Sequence, residues 1–318
     1  DYELEKDVLN NLYVGLKDNK KPYKIMLDGH LDEVGFMVQY IDPKGLIHFI
    51  PLGGWVVENI PAQLVLIKNS KGDYIKGVVS SKPPHFMTEE EKNQKLRMED
   101  LTIDVGALSK EEVEKDFGIQ VGDPIAPYVE FSYNDKNKIM LGKAFDNRLG
   151  TACALKLLER LKEEDLNICP IAGLASQEEV GTRGAQVSAH RIRPDLAIVF
   201  EGSPADDLYY PDYRIQGGLG RGAQIRLRDN SYIANKDLAN RALDLARRKK
   251  INHQLTVRTG GGTNAGKIHL AHEGVAVLVI GVPVRYAHTH HCYASMKDFE
   301  SAVDLGYELV MEINDQVK

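Results

Sequence analysis

The sequence predicts an α/β fold: a mixed, mostly parallel sheet flanked by helices, interrupted by a small inserted β-rich domain. Three observations carry this reading. From residue 139 onward, short apolar runs such as LAIVF (196–200) and VAVLVI (275–280) alternate with amphipathic stretches such as TACALKLLERLKEE (151–164), the texture of strands linked through helices. Between 43 and 138 the apolar runs are short and separated by Gly, Pro and Asn, as in a small barrel or sandwich. Polar residues follow several apolar runs directly, and in open α/β sheets ligands gather at the carboxyl ends of strands.

The chain has 318 residues, enough for roughly two domains at ~150 residues each. Its 43% hydrophobic and 27% charged content is ordinary for a globular protein. No apolar run approaches the ~18 residues needed to cross a bilayer, so a membrane-spanning role is not expected. Forty Lys and Arg against 46 Asp and Glu give a net charge of −6, which argues against a nucleic-acid partner. Cys153, Cys169 and Cys292 are widely spaced with no CxxC; buried thiols in a reducing, cytoplasmic setting are expected. The chain begins at Asp1 without a charged-then-apolar leader, so processing or truncation is expected to have removed its start.

In chain order, residues 8–16 and 24–28 read as strands around the turn KDNKKP (17–22), and the second strand runs on into GHLDEVG. His30 and Asp32 are two apart and share a side of extended backbone; a carboxylate beside an imidazole fixes its tautomer as a metal ligand. Four β-rich pieces follow, LIHFIPLGG, AQLVLIKNS, DYIKGVVSS and LTIDVGA. The charged run 88–100 interrupts them as a solvated loop or exposed helix. Residues 109–118 read as a helix, with Ser109 as N-cap, Glu112 completing a capping box and Gly118 after the end. The inserted domain is expected to span 43–138, leaving 1–42 and 139–318 as the other domain.

The strand IMLG then runs into Asp146, which either caps the following helix or serves a site. Residues 171–175 form a short buried strand leading into Glu178 and Glu179. Neighbours on extended backbone point opposite ways, so the pair suits two jobs: one carboxylate holds a cation while the other works on a water or a substrate proton. Glu201 closes DLAIVFE, residues 237–250 read as a helix, QLTV as a strand, and 265–274 as helical. After VAVLVIGVP, one of His288, His290 or His291 is the sixth contributor. A long amphipathic helix ends the chain. Two imidazoles and three or four carboxylates without thiolate suit a pair of divalent ions. GGTNAGKI (261–268) has a phosphate-loop frame, but Ile268 stands where magnesium needs a hydroxyl.

GHLDEVGFMV, KAFDNRLG, SQEEVGTRGA, GGGTNAG and VPVRYAHT, in this order, resemble the metallo-aminopeptidase family of glutamyl, deblocking and tetrahedral aminopeptidases. The resemblance covers essentially the whole chain. It implies a zinc-exopeptidase-like fold with a barrel or PDZ-like insertion, and two divalent ions per subunit, zinc, cobalt or manganese. It also implies His30 and Glu201 as ligands of one ion, Glu179 and His288 of the other, and Asp146 bridging both. Asp32 would orient His30, and Glu178 would act as general base toward a water shared by the ions. Glu201 stands where many relatives have Asp, and Asn264 where Asp is usual. The substrate would be a peptide with a free N-terminus, and subunits would assemble through the insertion into dimers or dodecamers. Arg221 and Arg258, beside glycine-rich turns, and Gly261 are candidate substrate contacts, the arginines selecting an acidic N-terminal side chain. A related dinuclear amidase or deacylase, and a non-catalytic accessory protein, are the competing expectations.

Overall fold

The structure, a computed structural model, describes residues 2–15 and 21–317. The strands are β1 (Leu4–Lys6), β2 (Leu12–Val14), β3 (Lys24–His30), β4 (Gly35–Ile41), β5 (Ile47–Leu52), β6 (Leu64–Lys68), β7 (Tyr74–Val79), β8 (Thr102–Asp104) and β9 (Pro124–Pro127). They continue with β10 (Ser132–Asn134), β11 (Ile139–Gly142), β12 (Cys169–Ala175), β13 (Leu196–Pro204), β14 (Ala223–Arg228), β15 (His253–Val257), β16 (Ala276–Arg285) and β17 (Cys292–Ser295). The helices are α1 (Glu89–Asn93), α2 (Lys110–Lys115), α3 (Phe145–Leu161), α4 (Arg183–Ile192), α5 (Lys236–Arg248), α6 (Ala265–Ile268) and α7 (Met296–Gln316).

An 11-stranded mixed sheet has the order β1-β2-β12-β3-β13-β16-β17-β11-β10, with β14 and β15 branching from β16. Its centre, β12-β3-β13-β16, runs parallel, and β2, β17 and β14 join that centre antiparallel. The central strands are buried on both faces, so Cys169–Ala175 and Leu196–Phe200 read as continuous apolar runs rather than alternating ones. One face is covered by α3, α5 and α7, whose Leu157, Leu245 and Leu309 enter one core cluster. Ala185 and Ala189 of α4, with Ala265 and Ile268 of α6, close the other face.

Strands β4-β5-β8-β7-β6-β9 form a closed antiparallel barrel around Phe36, Ile47, Val65, Ile67 and Ile103. Closure removes the unpaired edges that would invite aggregation. The barrel takes β4 from before residue 43, while β10, inside the expected insertion, pairs with β11 of the main sheet. Within the charged run, Thr88 and Glu91 cap α1 reciprocally. Ser109 caps α2 as expected, but the Glu112 carboxylate accepts from Leu108 N at 2.8 Å rather than completing a box with Ser109.

Several elements differ from expectation. The first strand is confined to Leu12–Val14 and gains an edge partner at Leu4–Lys6. Residues 17–20 of the expected KDNKKP turn lie outside the described residues. The α3 segment keeps the expected turn at Asp146 and Asn147, neither of which is helical, whereas the helical reading of 265–274 shrinks to the short α6. Ala265 and Ile268 bury there, whereas Leu270 is 71% exposed and His272 turns left-handed, so the apolar face ends after one turn. All three cysteines are buried, and among the described residues none forms a disulfide. Among the described residues no helix is long and apolar enough to cross a membrane.

Candidate metal centre

Parallel pairing of β12 with β3 sets Ala175 opposite His30. The residues just past β12 therefore emerge beside His30. β13 is the other neighbour of β3 and carries Glu201. The start of α3 drops against β13 because Gly202 has no side chain; a Cβ there would lie 2.3 Å from Phe145 O. Asp146 thus lies beside His30 and Glu201, three residues brought in from distant parts of the chain.

His30 Nε2 lies 3.1 Å from Asp146 Oδ1 and 3.5 Å from Glu201 Oε1. His288 Nε2 lies 3.3 Å from Asp146 Oδ2 and 3.6 Å from Glu179 Oε2. His30, Asp146 and Glu201 form one ligand-competent group, and Asp146, Glu179 and His288 form another. Glu178 belongs to neither; its Oε2 is 3.8 Å from His30 Nε2. Asp146 does not cap α3, and its two oxygens face different imidazoles.

Burial would raise the Asp146 carboxyl, but hydrogen bonds to His288 and His30 outweigh it and hold the group well below the usual carboxylate range. Glu178, Glu179 and Glu201 are each pushed up to about 8, by burial first and then by neighbouring carboxylates. The Asp146 hydrogen bond raises His288 to about 9. Burial opposes protonation of His30, yet its bonds to Asp146 and Glu201 hold it well above its ordinary value. The site is short of positive charge, and among the described residues Glu179 Oε1 and Glu201 Oε2 are buried without hydrogen-bond partners. Divalent cations fit this set of imidazole and carboxylate donors, because they would supply both the missing charge and the missing partner.

Three non-glycine residues in or beside the two ligand-competent groups, Ala144 (φ 55), Gln177 (φ 56) and His288 (φ 62), are left-handed, a conformation that neighbouring structure must enforce at a cost of ~1 kcal/mol or more each. At Gln177 the enforcing group is Asp32. Its carboxylate accepts from Glu178 N at 3.0 Å and Glu179 N at 3.1 Å. Asp32 meets His30 chiefly through its backbone oxygen, 3.1 Å from Nδ1, with the carboxylate at 3.7 Å.

Beside this centre lies a cavity of about 1070 Å³, lined by Glu178, Glu179, Glu201 and His288 on one side and by Arg214, Arg226, Arg258 and Gly260–Gly262 on the other. Tyr209, Tyr210 and Tyr213 rim it.

Over residues 10–305 the chain matches the family described as M42 glutamyl aminopeptidase. It belongs to that family. The chain is 35% identical to the glutamyl aminopeptidase of Lactococcus lactis over 98% of its own length and 87% of that protein's. The TET aminopeptidase of a marine-sediment Thaumarchaeota archaeon superposes with TM-score 0.93 at 36% identity, covering 99% of this chain and 88% of that one. The Pyrococcus horikoshii TET1 peptidase, described as assembling into a tetrahedron or a large octahedral shell, superposes with TM-score 0.85 at 28% identity, covering 97% and 89%. This M42 chain is accordingly a hydrolase of the aminopeptidase kind.

In this M42 chain the argument from extended backbone fails for the histidines, because 286–290 is a turn. His288 reaches the centre from that turn. His290 is 2% exposed and packs its ring 5.3 Å from that of Trp55, and among the described residues neither of its ring nitrogens has a hydrogen-bond partner. Arg221 is not among the cavity-lining residues; it pairs with Asp212 at 2.8 Å on the exposed side of its loop. Arg258 and Gly261 do line the cavity. Burial and the neighbouring Arg226 push Arg258 down to about 10, so it stays cationic at neutral pH.

Sequence reasoning missed Arg226, 3% exposed and paired with Asp229 at 3.1 Å beneath the cavity. The signal was present: an arginine inside the apolar run AQIRL, which a buried strand tolerates only with a partner.

Proposed function

We propose that the chain removes N-terminal residues from peptides with two divalent ions, zinc, cobalt or manganese, and a glutamate base. The observation that carries this is the Asp146 carboxylate, whose oxygens serve two separate His-carboxylate groups. His30, Asp146 and Glu201 would hold one ion, and Asp146, Glu179 and His288 the other. When bound, such ions supply Lewis acidity toward a carbonyl and a water. Glu178, outside both groups, takes the proton of the attacking water and returns it to the leaving amine. Asp32 fixes the backbone of Glu178 and Glu179, so the base and a ligand keep their separation.

The cavity beside Arg258 and Gly261 would receive the N-terminal side chain, with an acidic one preferred because Arg214, Arg226 and Arg258 converge there. The catalytic part is assigned to 1–42 and 139–318, with β4 passing to the barrel and β10 to the main sheet. The insertion, 43–138, would serve assembly into dimers or larger shells of the kind described for the TET1 relative. A cytoplasmic location is in keeping with three buried cysteines that form no disulfide among the described residues.

The test is metal analysis together with release of p-nitroaniline from aminoacyl substrates. Two ions per chain and turnover abolished by chelation are expected. Turnover that survives complete metal removal would overturn the reading.

A further inference from the structure

The two ligand groups differ in how they are held. His30 and Glu201 sit on central strands of the sheet, the most constrained backbone in the molecule. Glu179 and His288 sit in turns, so their geometry needs a brace. The barrel provides one, through the loop that leaves β5 as Gly53, Gly54 and Trp55.

Gly53 (φ 86) lies directly on the second group: a Cβ there would be 2.8 Å from Val34 Cγ1 and 3.2 Å from Glu179 Cβ. The His288 ring lies against Gly54, where a Cβ would be 3.4 Å from Nδ1, the nitrogen that does not face Asp146. Trp55 is anchored in the barrel by a stack on Phe36 (centroids 4.6 Å, 20°) and by Nε1 donating to Gly35 O at 3.1 Å. Its remaining ring contact is His290, two residues past His288. Packing alone does not account for His290, since an apolar ring of that size would avoid burying two nitrogens that have no hydrogen-bond partner among the described residues.

We infer that Trp55 and His290 are positioning residues: their ring contact clamps the barrel loop onto the His288 turn and sets the second ligand group, leaving the first untouched. This rests on the two-ion reading above. Outer contacts of this kind change metal affinity by ~10- to 100-fold when removed.

Chelator-stripped protein is titrated with zinc by calorimetry while tryptophan emission is followed; Trp55 is the only tryptophan, so the signal is unambiguous. In the wild type the second equivalent should shift the emission. His290→Ala should weaken the second equivalent by ~10- to 100-fold, leave the first unchanged and abolish the emission response. His290→Phe, which restores a ring against Trp55, should recover the second affinity. Gly53→Ala, which crowds Glu179 from the barrel side, should reproduce the selective loss and serves if His290→Ala does not fold. Wild-type affinities in His290→Ala and Gly53→Ala, equal loss at both sites, or no recovery by Phe would overturn the inference. A wild-type protein that takes up a single zinc would refute the two-ion reading, and this inference with it.

Discussion

Replacing Asp229 by Ala should expose how much the cavity floor depends on one buried charge pair. Asp229 and Arg226 are 2% and 3% exposed and lie 3.1 Å apart. Without Asp229 the guanidinium keeps Ser203 as its side-chain partner and stays almost wholly buried. Breaking a buried pair from one side costs ~3–5 kcal/mol. The carboxylate also accepts from Ser231 N at 2.8 Å and Tyr232 N at 3.1 Å and from the hydroxyls of Ser231 and Thr263; hydroxyls can turn to other acceptors, so counting the two backbone N–H bonds at ~1 kcal/mol each gives about 5–7 kcal/mol. With ~2.1 cal/mol/K of unfolding entropy per residue and 318 residues, Tm should fall by about 7 to 10 °C. Scanning calorimetry of the single variant and of Arg226→Met/Asp229→Ala is the assay. The double variant should be the more stable, because it no longer buries a lone charge. A single variant that melts within ~2 °C of wild type, or a double variant no more stable than the single, would refute the reasoning.

Glu178→Gln should retain metal, since Glu178 is in neither ligand group, and lose ~10²- to 10⁴-fold in kcat; full turnover would remove it from the mechanism. Arg258→Ala should lower the ratio of Glu- to Leu-p-nitroanilide cleavage, and an unchanged ratio would mean that the arginines do not select. Burial pushes Asp298 up to about 6 against the opposing N–H groups of Gly220 and Gly222. The native state therefore holds this proton more tightly than the unfolded chain. The contribution is complete below the ordinary carboxylate range and is lost as pH rises through about 6. Relative to wild type, Asp298→Asn should gain stability between pH ~4 and ~7; a constant difference across that window would contradict the shift.

The residues proposed as ligands were legible because each follows an apolar run long enough to be a buried strand, and register then does the rest: Ala175 opposite His30 brings the EE pair to the histidine. The inserted barrel was legible from its turn spacing, but β4 reads as a continuation of β3, and nothing local separates strands that serve different sheets. What escaped depended on backbone that residue type does not reveal. His288 enters from a left-handed turn, so alternation along a strand could not distinguish it from His290. Asp32 looked like a partner for His30, yet its carboxylate chiefly serves backbone N–H groups from residues 178 and 179, a contact that no side-chain spacing encodes. Arg221 stood beside glycines as Arg258 did, but Asp212 draws it outward.

The central claim is that Asp146 is shared between two ions, and metal binding to Asp146→Ala tests it most directly. Calorimetric titration of chelator-stripped wild type and variant with zinc should show two equivalents in the wild type. In the variant both should be lost together, since each ligand group loses the same carboxylate. One site still filled at wild-type affinity would contradict the account.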